Sequence, residues 1–132
     1  MSHSSKLIVV THYELIANQP LEIDLPNSPF LLVIAIHSPR VNTQWRYDFC
    51  DWVVRNDQCY HAMTWGFDCA QWETDLDLSY IEKFNYALPD DFAFLTTWHT
   101  DETFDEVMQL AKLFVGYALD EETEQIVLIN IR

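Results

Sequence analysis

The apolar positions of the chain change period several times, and each change marks a predicted element. Leu21, Ile23 and Leu25 alternate with Glu22 and Asp24, the period-two pattern of a half-exposed strand. With Leu7 to Ala17 before them and Asn18-Gln19-Pro20 between, an N-terminal antiparallel edge hairpin is predicted; a short helix over His12 to Ala17 is the alternative. Pro26 and Pro29 then bracket a turn. Phe30 to Ile36 (FLLVIAI) does not alternate at all. A strand covered on both faces looks like that, which places it centrally in a parallel sheet. From Asn42 the period becomes helical: Trp45, Phe49, Trp52, Val53 and Asn56 share one stripe, and Asn42 or Thr43 is the predicted N-cap.

The strand-to-helix unit then repeats. Cys59 to Trp65 reads as a strand, Gly66-Phe67-Asp68 as its turn, and Asp68 with Gln71 as the cap of a following helix. Asp75, Asp77 and Ser79 suggest a break, followed by a short helix over Tyr80 to Tyr86 that ends before Pro89. The clearest unit is Phe92 to Val115, a β-branched and aromatic run, a turn at 98–101, and a helical stripe of Phe104, Val107, Met108, Ala111, Phe114, Val115 and Ala118. Thr64-Trp65-x-x-Asp68 aligns with Thr97-Trp98-x-x-Asp101, so the two turns look like copies. Gly116 weakens or ends the last helix, Asp120 to Glu124 reads as an exposed loop, and Gln125 to Ile131 supplies the last buried strand.

Strands alternating with helices from residue 30 onward predict an α/β fold of three layers on a mostly parallel sheet. The most economical order is 2-1-3-4, flavodoxin-like or Rossmann-like, with the hairpin on one edge. One domain over 1–132 is expected: 1–29 as hairpin and lead-in, 30–132 as the repeated units.

Charge narrows the partners. The formal net charge is −14, and between Asn56 and Ala111 there are twelve acidic residues against one base, Lys83. Such a field repels phosphate backbones, so direct nucleic-acid binding is not expected. It speeds encounter with a basic protein, although plain solubility explains it equally. No apolar run approaches the length of a membrane span, and Leu7 to Val10 is too short for a signal-peptide core, so a cytoplasmic protein is expected. Three cysteines without a CxxC pair read as free thiols.

In an open parallel sheet, ligands bind beyond the carboxyl ends of the strands, where strand order reverses. The predicted order brings His37, Arg40, Trp98, His99 and Asp101 into one crevice there, with Trp65 and Asp68 at the neighbouring strand end. An enzyme built on it would use His37, His99 and Asp101 as acid–base groups, Arg40 to hold an anion, and Trp65, Asp68 and Trp98 to line the ligand. Helix capping by Asp68 and Asp101 and core closure by the tryptophans is the plainer alternative. Gly66 and Gly116 are the only glycines and neither lies in a Gly-rich loop, so dinucleotide or phosphate-loop binding is not expected and no cofactor is assigned. No local histidine pair marks a metal site, and Ser38 lacks the nucleophile elbow of a hydrolase triad with His99. Cys69 follows a predicted helix cap, but a buried inert thiol is the commoner case.

The segment 73–91 suggests a different use. Glu73, Asp75 and Asp77 surround Tyr80, Phe84 and Tyr86, aromatic anchors among carboxylates of the kind that bind a basic surface. A basic protein partner is therefore the leading expectation, with the chain as inhibitor, immunity or accessory subunit; the strand-end crevice, as enzyme or small-molecule site, is the alternative.

Overall fold

Seven consecutive apolar residues leave β2 (Phe30–Ile36) no side that tolerates water, and all seven are buried. The computed structural model describes residues 7–87, 94–115 and 123–132. Around β2 stand β1 (Leu7–Leu15), β3 (Cys59–Gly66), β4 (Leu95–His99) and β5 (Thr123–Ile131), with helices α1 (Thr43–Arg55), α2 (Cys69–Lys83) and α3 (Phe104–Phe114). The α/β class holds. All strand pairs are parallel, in the order β1-β5-β2-β3-β4.

This corrects two expectations. Counting only the four strands from residue 30 onward, the observed order is 4-1-2-3 rather than 2-1-3-4. Crossovers between parallel strands share one handedness, so helices on the same face step the chain in the same direction. Trp72 decides the face of α2. It stands edge-on to Phe49 of α1 at 5.4 Å and to Trp45 at 6.5 Å, locking the two helices side by side. The chain therefore steps outward twice, from β2 to β3 to β4, before α3 returns it across the opposite face to β5. Phe49, Val53, Trp72 and Leu76 fill one side of the sheet; Val107 and Ala111 of α3 pack with Leu31, Val33, Met63 and Leu128 on the other.

The second correction is the hairpin, which does not form. β1 is taken instead by β5, in unbroken parallel register from Leu7 opposite Thr123 to Leu15 opposite Ile131. The alternation of Leu21, Ile23 and Leu25 is real, but it serves packing and not a ladder. These three side chains press onto the α1-side core, while Trp45 Nε1 donates to Gln19 O at 2.6 Å and Tyr13 Oη to Asp24 O at 3.0 Å.

The helices show why local signals mislead. α1 is capped by Asn42, whose side chain accepts from the amides of Gln44 and Trp45. α2 runs unbroken through Asp75, Asp77 and Ser79, because its acids find partners instead of turning the chain: Arg46 Nε meets Asp75 at 2.5 Å and Thr96 Oγ1 donates to Asp77 at 2.5 Å. Asp68 occupies the first position before α2 in the left-handed conformation (φ 55°) and makes no capping bond, which corrects the predicted capping box there. The box exists one unit later, between Thr103 and Glu106 at the start of α3. The predicted start of β4 at Phe92 and the expectations on Pro89, Gly116, Ala118 and Asp120 to Glu122 lie outside the described residues, while Thr123 and Glu124, predicted as the end of that loop, begin β5.

Gly66 sets how closely β3 approaches β2. Its φ is 104°, and a Cβ there would meet Ile36 O at 2.1 Å, the same oxygen that accepts from Phe67 N at 3.0 Å.

Candidate functional site

An all-parallel sheet gathers every carboxyl end on one rim, as expected. On the α3 side of that rim one register row crosses the whole sheet. Glu14 pairs with Asn130, Asn130 with Ala35, Ala35 with Trp65, and Trp65 with His99. Paired residues of parallel strands share a face, so four large polar or amphipathic side chains flank one alanine. His37, just beyond β2, stands edge-on to Trp65 at 5.9 Å and reaches Asn130.

The bonds assign the protons. Asn130 Nδ2 donates to Glu14 Oε2 at 2.7 Å, since a carboxylate only accepts. Asn130 Oδ1 is then the atom facing His37, so His37 Nε2 carries a hydrogen and donates at 2.8 Å. In the tautomer this bond selects, Nδ1 is the acceptor nitrogen. Arg132 Nε donates to Glu14 Oε1 at 2.6 Å and, as the largest cause, holds that carboxyl below its usual range. Asn130 is buried; the chain His37–Asn130–Glu14–Arg132 runs along the rim from β2 across β5 to an exposed ion pair at the β1 edge.

A second chain lies across Trp65. The indole Nε1 donates to Glu102 O at 2.8 Å. The Glu102 carboxylate accepts from His99 Nδ1 at 3.2 Å, a bond that lowers its pKa. His99 Nε2 meets Thr97 Oγ1 at 2.9 Å, and His61 Nε2 meets the same oxygen at 3.5 Å. His61 is stacked against Phe114 and buried, and desolvation, with His99 nearby, pushes its pKa down to about 4.

The predicted crevice is only partly assembled. β3 stands between β2 and β4, so His37 and His99 are separated by two inter-strand spacings, about 10 Å, and Trp65 fills the interval. Trp98 alternates to the opposite face of β4, the side of α2, and is exposed there. Arg40 and Asp101 are exposed in turns, and Asp68 is exposed before α2. Asn18, at φ 68°, fixes the Arg40 turn by donating to Arg40 O at 3.1 Å and accepting from Asn42 N at 2.7 Å. Ser38 Oγ accepts from Arg40 N and lies two strands away from His99, so those residues form no triad. Cys69 is buried with its thiol against His99 O. Burial also raises the pKa of Cys50, and that of Cys59 to about 12, so neither is a thiolate at neutral pH. Among the described residues no three His, Cys, Asp or Glu side chains converge as a metal set. Sequence reasoning missed Asn130, Glu14 and Glu102; a lone Asn inside QIVLINI was the available signal.

The residues predicted to meet a partner do not share one face. Asp75 is buried between the helices, bonded to Arg46 and Gln71. Glu73 and Asp77 turn toward β4; burial and then Asp77 raise the Glu73 pKa. Tyr80 and Phe84 line a 260 Å³ cavity at the amino ends of the strands, with Phe94, Cys59 and Lys83. Tyr86 is exposed after α2. What the helices do form together is a groove of about 410 Å³ on their outer side, lined by Gln44, Tyr47, Asp51, Asp75, Leu78, Ser79 and Glu82. Tyr47 and Leu78 are each nearly half exposed at its walls. Tyr47 lies off the α1 core stripe and Leu78 interrupts the polar side of α2; both were visible as misfits.

No helix among the described residues is long and apolar enough to cross a membrane. Comparison with curated proteins and with solved structures finds no match. The family model described as domain of unknown function DUF7684 matches residues 10–132. That match spans nearly the whole chain, which therefore belongs to the DUF7684 family.

Proposed function

We propose that this protein is a small acidic binding module whose α1–α2 face receives a basic protein partner, in the manner of an inhibitor, immunity or accessory subunit working in the cytoplasm. The observation that carries the reading is the groove between the helices. It offers two apolar anchors, Tyr47 and Leu78, within a lining whose exposed charges, Asp51 and Glu82, are acidic. Two bases of α1 stand beside it: Arg46 is turned inward onto Asp75, and Arg55 Nε donates to Asp51 O at 3.3 Å, outside the lining. Exposed aromatic and aliphatic side chains ringed by one sign of charge suit a partner that presents Lys or Arg around an apolar contact. The groove residues span two helical turns on each side, about 10 Å, which matches a short helix or loop of the partner.

The test is capture from native extract with the wild-type chain and with Glu82→Lys and Leu78→Ala, followed by a salt titration of the captured pair. A partner lost from both variants, and weakened as salt rises, supports the reading. A partner held equally by the variants, or indifferent to salt, overturns it.

A second reading rests on the rim. His37, with Nε2 committed to Asn130 and Nδ1 open, is arranged as a general base or ligand acceptor beside Trp65. It predicts that Asn130→Ala and His37→Ala reduce binding of a small polar ligand alike. A ligand indifferent to Asn130 would sink it.

A further inference from the structure

Among the described residues, β1 is an edge strand without the usual protection. Natural sheets blunt their edges with Pro, Lys, bulges or short strands, because an open row of N–H and C=O groups templates further pairing. β1 is nine residues long, contains no Pro, Gly, Lys or Arg, and keeps its register with β5 without a bulge. Leu7, Ile8 and Val9 are 64%, 36% and 38% exposed, so apolar side chains stand in solvent on both faces of it. The opposite edge is different. β4 has five residues, and Asp77 of α2 reaches over to Thr96.

We propose that β1 pairs antiparallel with β1 of a second copy, joining two five-stranded sheets into one of ten. Two identical edge strands close a twofold interface only when antiparallel, and a closed interface leaves no free β1 edge; the edges that remain are the short β4 strands. With the axis at Thr11, the middle of the strand, the exposed Leu7 and Val9 of each copy come opposite Leu15 and Tyr13 of the other. Apolar and aromatic cross-strand pairs of this kind are favourable.

Charge selects a copy of this chain over other occupants. The ionisable residues of β1 are His12 and Glu14, and Arg132 of the same chain answers Glu14 at 2.6 Å. A partner attracted by charge goes to the acids on α1 and α2. At β1 only a neutral strand gains, and β1 is itself one. The segment 56–111, with twelve of the 21 acidic residues, builds β3, α2 and β4 at the far end of the sheet and α3 across its face. β4 lies four spacings from β1, about 19 Å, beyond the roughly 8 Å over which charges act at physiological salt.

Sedimentation equilibrium of the full chain tests this. Wild type is expected to populate twice the chain mass, more strongly as salt rises, opposite in sign to the salt effect on capture of a basic partner. Val9→Lys and Leu7→Lys each enter the interface twice and should weaken association roughly tenfold or more while leaving the circular dichroism spectrum unchanged. Thr11→Cys should give a disulfide-linked pair under air oxidation that wild type, with three buried cysteines, does not form. A wild type that stays monomeric at roughly millimolar concentration overturns the proposal. So does a dimer that both lysine variants leave intact, or a monomer that takes up a β1-sequence peptide instead of its own copy.

Discussion

Gly66 and His61 are single residues whose environments make opposite demands, one steric and one electrostatic. Gly66 needs a left-handed φ and has a backbone oxygen where a Cβ would go. Gly66→Ala should therefore cost about 3 kcal/mol or more, measured as a fall in the urea midpoint at unchanged m-value. His61 is held neutral by burial, with a folded pKa of about 4 against 6.5 for the free group. Between those values the unfolded chain binds the extra proton, so the stability is complete above pH 6.5 and is lost as pH falls toward 4. The loss is up to about 3 kcal/mol, and His61→Phe should flatten urea midpoints measured between pH 7 and pH 4.5. Of the strand-end residues, His37, Trp65 and His99 were legible because each follows an apolar run with a turn after it. Asn130 was not, since nothing in QIVLINI says that its amide faces a histidine 93 positions earlier in the chain.

Elements were legible where their pattern is self-contained and illegible where a partner decides. β2 and α1 are readable from periodicity alone. α2 is not: three polar residues in its middle look like a break until Arg46 and Thr96 are brought to them. Asp75→Leu alone should cost about 3 kcal/mol by stranding the Arg46 guanidinium, whereas Asp75→Leu with Arg46→Met should come back to within about 1 kcal/mol of wild type, as a double-mutant cycle would show. α3 carries a capping box that the Thr-x-x-Glu spacing announces. Thr103→Ala should lower stability by about 1 kcal/mol without altering the groove between α1 and α2. Strand order was the costliest misreading, because it hangs on the face each helix takes, and one ring, Trp72, settles that.

For the molecule as a whole, composition foretold the charge but not its placement. The sequence suggested a patch over 73–91, yet α2 rotates Asp75 toward α1, Glu73 and Asp77 toward β4, and Tyr80 toward the amino-end cavity. The pairing of two helices is what brings Asp51 of one and Glu82 of the other to a single groove. A net charge of −14 also repels itself within the folded chain. Raising sodium chloride from low to moderate concentration should then lift the melting temperature by about 4 °C if relief of that repulsion amounts to roughly 1 kcal/mol. A flat response in calorimetry would mean the acids are spaced widely enough to ignore one another.

The place of β5 between β1 and β2 bears on how the molecule is born. As the nascent polypeptide leaves the ribosome, β2, β3 and β4 can assemble with their helices in turn, but β1 waits with a vacant slot beside it. Only when residues 123–131 emerge can they slide into that slot and tie the earliest strand to the rest. The β1–β5 and β5–β2 ladders thus close only after β2, β3 and β4 are in place, and an exposed β1 is most vulnerable to chaperones and proteases in that interval.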